Sequence, residues 1–223
     1  WDIDKISIFD STLQMGNFLI SLFILIACSM VCMVEIGFER KKNEASIQME
    51  IEQLQLKQRL QLDELTGIFN RKALHDAMED MEGKVSDNNY ILTIADIDNF
   101  KSINDHLGHH VGDYCLKEFA KVLGENCGKA TIFRYGGDEF CLLFCNADIN
   151  EAVSVCEQIQ LKLSNLHFEP HAMLKMTASF GLAEYSDQVN TTRLFIHADQ
   201  ALYEAKEVRN NICVFQPKVK SME

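Results

Sequence analysis

The stretch Gly136-Gly-Asp-Glu-Phe140 stands between two runs of strand-forming residues, 131–135 and 140–144. Two glycines followed by two acids between such runs predict a β-hairpin with a tight turn. Glycine permits a positive φ and lets a ligand approach the backbone. Asp138 and Glu139 would repel each other at the tip of a sheet unless they hold a divalent cation or stay in water. Taken alone, the stretch fits either a metal and phosphate site or an ordinary solvated turn.

A second pair of acids, Asp96 and Asp98, directly follows a strand-like run at 90–95. Ligands of helix-and-sheet proteins often collect at the carboxyl ends of strands. If this strand neighbours the hairpin, Asp96 meets the turn acids, and the three carboxylates would bind one or two hard cations. For Asp98 we expect a helix N-cap, a position that aspartate favours.

The polar segment 99–113 supplies further candidates. Lys101 is either a point charge for phosphate oxygens or a solvated surface lysine. Asn104 and Asp113 offer a carboxamide and a carboxylate, which suit the edge of a guanine base. His109 lies in the predicted turn between two helices, where a capping or surface histidine is the common case. Their spacing alone does not establish a guanine pocket.

From Asp63 onward, helical and strand patterns alternate. The predicted helices cover 70–81, 100–107, 112–126, 149–166 and 191–208, the predicted strands cover 90–95, 131–135, 140–145, 173–184 and 212–215, and 83–89 is a predicted loop. Helices interleaved with a partly antiparallel sheet predict an α/β sandwich of one domain.

The N-terminal segment 1–37 contains an uncharged apolar run at 18–34, followed closely by Arg40, Lys41 and Lys42. Length and flanking charge predict a membrane helix with the rest of the chain in the cytoplasm. A buried core helix is the alternative, and a signal peptide is disfavoured because neither a cationic n-region nor a small-residue cleavage site is evident. The chain begins with Trp1, so we expect it to be part of a longer protein.

A polar, helix-forming segment rich in Glu, Gln, Lys and Leu follows, at 38–64, and its part up to residue 62 is the expected linker. Residues at Ile47, Ile51, Leu54, Gln58, Gln61 and Leu65 follow a 4-3 repeat. Because the repeat is short and partly polar, a solvated spacer and a weakly dimerising stalk both remain open.

Composition limits the possible functions. The chain has 223 residues and a formal charge of −12, which argues against passive binding to nucleic acid. Its eight cysteines follow no zinc-like or paired spacing. Cys28 and Cys32 lie in the apolar run, Cys141 and Cys145 share a face of a predicted strand, and we expect reduced, core-filling thiols.

Five ordered blocks give the chain a specific resemblance. They are Asp63-Glu-Leu-Thr-Gly-Ile-Phe-Asn-Arg71, Asp96-Ile-Asp-Asn-Phe-Lys-Ser-Ile-Asn-Asp105 with Gly108-His109 and Gly112-Asp113, Arg134-Tyr-Gly-Gly-Asp-Glu-Phe140, Thr177-Ala-Ser-Phe-Gly181, and Ala198-Asp-Gln-Ala-Leu-Tyr-Glu-Ala-Lys206. Together they resemble the GGDEF-domain diguanylate cyclases. The expected domain is 63–217, with 218–223 as a tail.

The resemblance implies a nucleotidyl-cyclase or polymerase-palm fold with a central, mainly antiparallel sheet. It also implies condensation of two GTP into cyclic di-GMP and two pyrophosphates by a homodimer, with Mg²⁺ as cofactor and Mn²⁺ as an alternative. The implied location is the bacterial inner membrane, with the catalytic domain in the cytoplasm and cyclic di-GMP receptors downstream.

The resemblance also implies a role for each matched residue. The metal would be coordinated by Asp96, Asp138 and the Ile97 carbonyl, with Glu139 beside it, and Asp138 would accept the 3′-hydroxyl proton. The nucleotide would be admitted by Gly136 and Gly137, and its guanine base would be contacted by Asn104 and Asp113. His109 would lie near the substrate, and Lys101 and Lys206 would face the phosphates.

Two departures from the family pattern carry expectations. Where the family has the R-x-x-D product-binding motif, residues 127–130 of this chain are Cys-Gly-Lys-Ala. Feedback inhibition through that motif is therefore not expected. The family ending A-K-x-x-G-R-N becomes Ala205-Lys-Glu-Val-Arg-Asn-Asn211, which lacks the glycine and places Arg209 one position early. A non-catalytic GTP-binding signalling module and a structural membrane–stalk protein are the competing interpretations, and the intact acids favour the enzyme.

Overall fold

The computed structural model describes residues 3–82, 89–168, 174–185 and 190–217. Most of the predicted loop 83–89 and the tail 218–223 lie outside these residues. The chain divides into two compact units, Trp1–Arg59 and Leu60–Glu223.

The first unit is one helix, α1, which runs from Ile3 to Arg59 over 57 residues. The uncharged run 18–34 lies inside it, and its large apolar side chains are exposed, Phe18 to 67% and Phe23 to 73%. The helix is long and apolar enough, by length and composition, to cross a membrane. The polar helix predicted from residue 38 continues from the apolar run without a break.

The C-terminal end of that helix was predicted at residue 64, which is wrong by five residues. Asn70 explains the difference, since its side-chain amide donates to the carbonyls of Leu60 and Leu62 and its backbone N–H donates to Gln61. Leu62 also forms a β-bridge with Phe69. These contacts hold residues 60–62 in a turn, so Gln61 and Leu65 of the 4-3 repeat are not helical.

The second unit is a sheet covered by helices on both faces. Its helices are α2 (Arg71–Glu82), α3 (Phe100–Leu107), α4 (His109–Asn126), α5 (Ile149–Ser164) and α6 (Thr191–Val208), and its strands are β1 (Phe69–Asn70), β2 (Tyr90–Ile97), β3 (Thr131–Gly136), β4 (Glu139–Cys145), β5 (Ala178–Glu184) and β6 (Ile212–Val214). Among the described residues the strand order is β1-β3-β4-β2-β5-β6.

The three central pairings, β3 with β4, β4 with β2 and β2 with β5, are antiparallel, whereas the outer pairs β1–β3 and β5–β6 are parallel. The predicted mainly antiparallel sheet is therefore confirmed. Strand β2 lies in the middle and every one of its residues is buried. Its carboxyl end is consequently surrounded by protein on both sides, which is where Asp96 lies.

Alternate residues of β2 enter two separate cores. Ile91, Ala95 and Ile97 pack with Phe119 of α4 in one cluster. Leu92 and Ile94 pack against Leu74 of α2 and Leu202 of α6 in the other. Because side chains alternate across a strand, Asp96 points to the face that α6 covers.

Helix α6 lies unusually close to the sheet, and Gly181 of β5 makes this possible. A Cβ at Gly181 would overlap the backbone of Ala198 and Leu202. Buried residues of α6 recur at Leu194, Ala198 and Leu202, which is the spacing of one helical face. This close packing brings the C-terminal turns of α6 near the end of β2.

The predicted elements are present, with differences at their ends. Strand β5 begins at Ala178 and not at 173, because Ala178 pairs with Ile97, the last residue of β2, and the described residues before it have no strand partner. Helix α4 begins at His109, earlier than the predicted 112. The two-residue strand β1 was not predicted, since its backbone pairing with β3 leaves no periodic pattern.

The cysteines are free thiols. Cys115, Cys127, Cys141 and Cys156 are buried, as expected for core-filling residues. The prediction is wrong for Cys145, which is the exposed last residue of β4, and for Cys28 and Cys32, which are exposed on α1.

Candidate active site

The acids of the second strand and of the hairpin meet at one end of the sheet. Strand β2 pairs with β4 so that Asp96 lies directly opposite Glu139. Residues opposite each other in an antiparallel pair project to the same face. The backbone N–H of Ile97 donates to the carbonyl of Asp138 at 3.4 Å, which joins the turn to the end of β2. The ladder therefore brings all three acids into one neighbourhood.

The turn of the hairpin leaves room for a ligand. The strand register shifts between Arg134 and Gly136, and Gly137 has φ +52°, a conformation that favours glycine. A Cβ at Gly136 or Gly137 would meet no atom within 4 Å. The two glycines thus border open space and are not required by packing within the domain.

The electrostatics of Asp96 indicate a demand for positive charge. The residue is only 6% exposed, and burial raises the pKa of its carboxyl to about 6. A hydrogen bond from Lys206 opposes that rise, while the charges of Asp138 and Glu139 add to it. The Lys206 ammonium lies 2.7 Å from Asp96 Oδ2 and supplies one compensating charge.

The expectation of three converging carboxylates is met only in part. Among the described residues, no three His, Cys, Asp or Glu side chains form a ready-made metal cluster. Mg²⁺ commonly binds to one or two carboxylates and completes its shell with water and substrate phosphates. Asp96 is a buried carboxylate that has the Lys206 ammonium beside it and lies next to Asp138 and Glu139. This arrangement fits that mode of Mg²⁺ binding.

The candidate nucleotide-binding residues lie on α3 and α4, which meet at Gly108 (φ +85°). Lys101, His109 and Asp113 are exposed, and Asn104 is half-buried. The Asn104 carboxamide rests against Gly112, where a Cβ would overlap its Oδ1 atom. Gly112 therefore lets Asn104 lie beside the helical turn that carries Asp113. Both groups predicted to contact guanine are thus on adjacent turns of the α3–α4 pair.

The expectation that Asp98 caps a helix is wrong. Asn99 occupies the N-cap of α3 in a left-handed conformation and makes no side-chain cap bond. Asp98 is 6% exposed, and its carboxylate accepts hydrogen bonds from Thr177 Oγ1, Ser179 Oγ and the backbone N–H of Asn210. These donors come from distant parts of the chain and were not visible as a local pattern.

Arg134 braces the hairpin turn through contacts that no local sequence pattern indicates. Arg134 donates to the carbonyl of Gly137 from Nε at 3.1 Å and from Nη2 at 2.8 Å. Its Nη1 donates to Asp63 Oδ1 at 3.0 Å, and Asp63 also accepts from Thr66. Burial raises the pKa of Asp63, but the hydrogen bonds from Thr66 and Arg134 outweigh this effect and hold the pKa below the ordinary value of an aspartate.

The end of α6 differs from the sequence expectation in one respect. Lys206, predicted to face phosphates, contacts Asp96, and its contact with phosphate stays a prediction. Arg209 stands where the family has glycine, and it adopts φ +62° and ψ +163°. That conformation is nearly exclusive to glycine. Among the described residues, Arg209 makes no hydrogen bond or ion pair with Asp96, Asp138 or Glu139.

Residues 60–212 match the family model described as diguanylate cyclase, GGDEF domain. The diguanylate cyclase DgcS of Shewanella oneidensis is 34% identical over 163 residues, which are 70% of this chain and 52% of that protein. Diguanylate cyclase DgcM of Escherichia coli is 31% identical over 186 residues, or 82% of this chain and 42% of that protein. The chain thus spans about half the length of these curated relatives.

A solved structure agrees with the sequence matches. The coiled coil and GGDEF domain of DgcB from Caulobacter crescentus, in complex with c-di-GMP, superposes with a TM-score of 0.71 at 27% identity, covering 80% of this chain and 98% of that one. The active GGEEF domain of a diguanylate cyclase from Vibrio cholerae gives 0.60 at 28% identity over 67% of this chain and 98% of that one. The matched region contains the hairpin, Asp96 and α6, and the chain belongs to the GGDEF-domain family of diguanylate cyclases.

Proposed function

We propose that the protein is a diguanylate cyclase that condenses two GTP into cyclic di-GMP and two pyrophosphates. The observation that carries the proposal is the buried Asp96, which lies opposite Glu139, beside the Gly-Gly turn, with Lys206 on its carboxylate. A purely structural domain has no need for a buried carboxylate next to two further acids. Relatives named as diguanylate cyclases support the same activity.

In this proposal the acids hold the substrate through Mg²⁺, with Mn²⁺ as the alternative ion. Asp96, Asp138 and the Ile97 carbonyl are the proposed ligands, and Glu139 lies beside them. When bound, the metal would stabilise the attacking and leaving oxygens at the α-phosphorus. The carboxylate of Asp138 accepts the proton of the ribose 3′-hydroxyl at one of its Oδ atoms.

The remaining residues position GTP. Gly136 and Gly137 leave space for the nucleotide, and Asn104 and Asp113 form hydrogen bonds to guanine. Lys101 and Lys206 offset the charge of the phosphates, and His109 lies near the substrate. Lys206 pairs with Asp96, and its ammonium would be available to a phosphate oxygen if Asp96 held a metal ion.

One GGDEF domain holds one GTP, so the reaction requires two domains face to face. Holding both nucleotides in line removes most of the entropic cost of the reaction. We propose a homodimer, anchored through α1 in the bacterial inner membrane with the catalytic domain in the cytoplasm, that supplies cyclic di-GMP to downstream receptors. Dimerisation through the helical stalk at 38–59 would then control turnover.

The test of the activity is incubation of the purified chain with GTP and Mg²⁺, followed by detection of cyclic di-GMP by mass spectrometry. We expect product from the wild type and none from Asp138→Asn, with unchanged thermal unfolding of that variant. A wild type that binds GTP without making product would instead identify a binding module.

The test of the stalk is its replacement by a flexible Gly/Ser segment of equal length. We expect turnover to change because the encounter of two domains is altered. Unchanged turnover at equal dimer content would refute control by the stalk.

Cyclic di-GMP is not expected to inhibit through 127–130, and strong inhibition at low product concentration would contradict that expectation.

A further inference from the structure

Asp98 is a buried carboxylate that the proposed chemistry does not use. Its Oδ2 accepts from Thr177 Oγ1 at 2.7 Å and from the backbone N–H of Asn210 at 2.8 Å, and its Oδ1 accepts from Ser179 Oγ at 2.7 Å. Its own backbone N–H donates to the Thr177 carbonyl at 2.9 Å. A carboxylate has about four acceptor sites, so three protein donors leave it little capacity for a metal ion.

The three donors join the parts of the domain that surround Asp96. Thr177 and Ser179 lie at the start of β5, and Ser179 pairs directly with Asp96 in the β2–β5 register. Asn210 follows the end of α6 by two residues. Asp98 therefore ties the end of β2 to β5 and to the segment that leaves α6.

The backbone after α6 needs such a tie. Arg209 and Asn210 both have positive φ, +62° and +45°, which side-chain-bearing residues rarely adopt. The hydrogen bond from Asn210 N–H to Asp98 stabilises this bend. Lys206 lies one helical turn before the bend, and its ammonium contacts Asp96.

We propose that Asp98 is a positioning residue for Lys206. By fixing the bend after α6, it sets where the Lys206 ammonium lies relative to Asp96 and to the incoming triphosphate. Asp98 itself touches neither substrate nor metal. The inference rests on the proposed cyclase activity for its turnover readout, but its binding readout does not.

Two substitutions separate the tie from its charge. Asp98→Ala removes all three hydrogen bonds. Asp98→Asn keeps Oδ for two donors and places an amide nitrogen against one hydroxyl, which can accept from it because Ser and Thr hydroxyls rotate. Positioning predicts that Asp98→Asn retains most of the function that Asp98→Ala loses.

The experiment is a double-mutant cycle in the full chain with Asp98→Ala and Lys206→Ala. It measures kcat and KM for GTP and, separately, the affinity for Mg²⁺·GTP by calorimetry, with thermal unfolding of each variant as the folding control. We expect about a tenfold loss from each single variant, no further loss in the double variant beyond about twofold, and recovery to within about threefold of wild type in Asp98→Asn.

Two results would overturn the inference. One is multiplication of the two losses in folded protein, and the other is wild-type behaviour of Asp98→Ala. If Asp98→Ala does not fold, Thr177→Val takes its place in the cycle, since it removes one of the three donors to Asp98 and leaves Asp96, Asp138 and Glu139 in place. A non-additive affinity cycle in a protein that makes no cyclic di-GMP would support the positioning role while refuting the proposed activity.

Discussion

Removal of the Arg134 guanidinium should loosen the turn that carries Asp138. Arg134 makes two hydrogen bonds to the Gly137 carbonyl and an ion pair with Asp63, and its side chain is only 13% exposed. In Arg134→Gln the ion pair is lost and at most one of these hydrogen bonds can be replaced. The turn is then held by the backbone hydrogen bonds between β3 and β4.

The magnitude follows from the contacts. A hydrogen bond involving a charged group contributes about 1.5–3 kcal/mol to stability. Because the Asp63 carboxylate is 23% exposed and keeps both bonds from Thr66, the lower end of the range applies. We expect Arg134→Gln to lower the free energy of unfolding by about 2–3 kcal/mol. If about half of this energy holds Asp138 in its reactive position, kcat should fall roughly tenfold.

The assay combines urea unfolding with steady-state turnover of GTP. A double-mutant cycle with Asp63→Asn should give a coupling of about 1–2 kcal/mol. Arg71→Gln is the matched control, because the Arg71 guanidinium stacks 4.5 Å from the centroid of the Tyr135 ring and contacts no turn carbonyl among the described interactions. It should cost about 0.5–1 kcal/mol and leave kcat unchanged. Additive effects of Arg134 and Asp63, or equal kcat losses in Arg134→Gln and Arg71→Gln, would refute the brace.

Three further substitutions test the packing around the site. Gly112→Ala should displace the Asn104 carboxamide, because a Cβ at residue 112 would overlap it. We expect KM for GTP to rise several-fold at nearly constant thermal stability, and a change in kcat alone would argue against a role of Asn104 in binding guanine. Gly181→Ala should lower the free energy of unfolding by about 3 kcal/mol or more, because a Cβ there meets the backbone of Leu202 rather than a movable side chain. A smaller loss measured by calorimetry would mean that α6 shifts easily. Arg209→Gly should raise the free energy of unfolding by about 1 kcal/mol, since glycine adopts φ +62° without strain, and denaturant unfolding with no gain would show that the arginine makes compensating contacts.

The hairpin and its neighbour strand were predictable because their signals are local. Two glycines and two acids between apolar runs indicate a hairpin turn, and the apolar run at 90–95 indicates a strand. The sequence left open whether these strands are neighbours, and the structure pairs them so that Asp96 lies opposite Glu139. The family motifs then assign chemistry to residues that spacing alone left ambiguous.

The long-range hydrogen bonds were not predictable from the chain. Asp98 was expected to cap α3, because aspartate before a helix usually does, but its donors lie 79, 81 and 112 residues away in sequence. The ion pair of Arg134 with Asp63 spans 71 residues. The early end of α1 has the same origin, since Asn70 competes for the backbone carbonyls that would extend the helix.

In the proposed mechanism, Asp96 and the hairpin acids share one ion with the triphosphate of GTP. Electron paramagnetic resonance can test this by measuring the affinity of Mn²⁺ for the GTP-loaded protein. The proteins to compare are the wild type, Asp96→Asn, Asp138→Asn and the double variant. We expect each single variant to weaken binding of the same Mn²⁺ ion and the double variant to weaken it little further. Two independent, additive losses, or Mn²⁺ binding that is unaffected by Asp96→Asn, would contradict it.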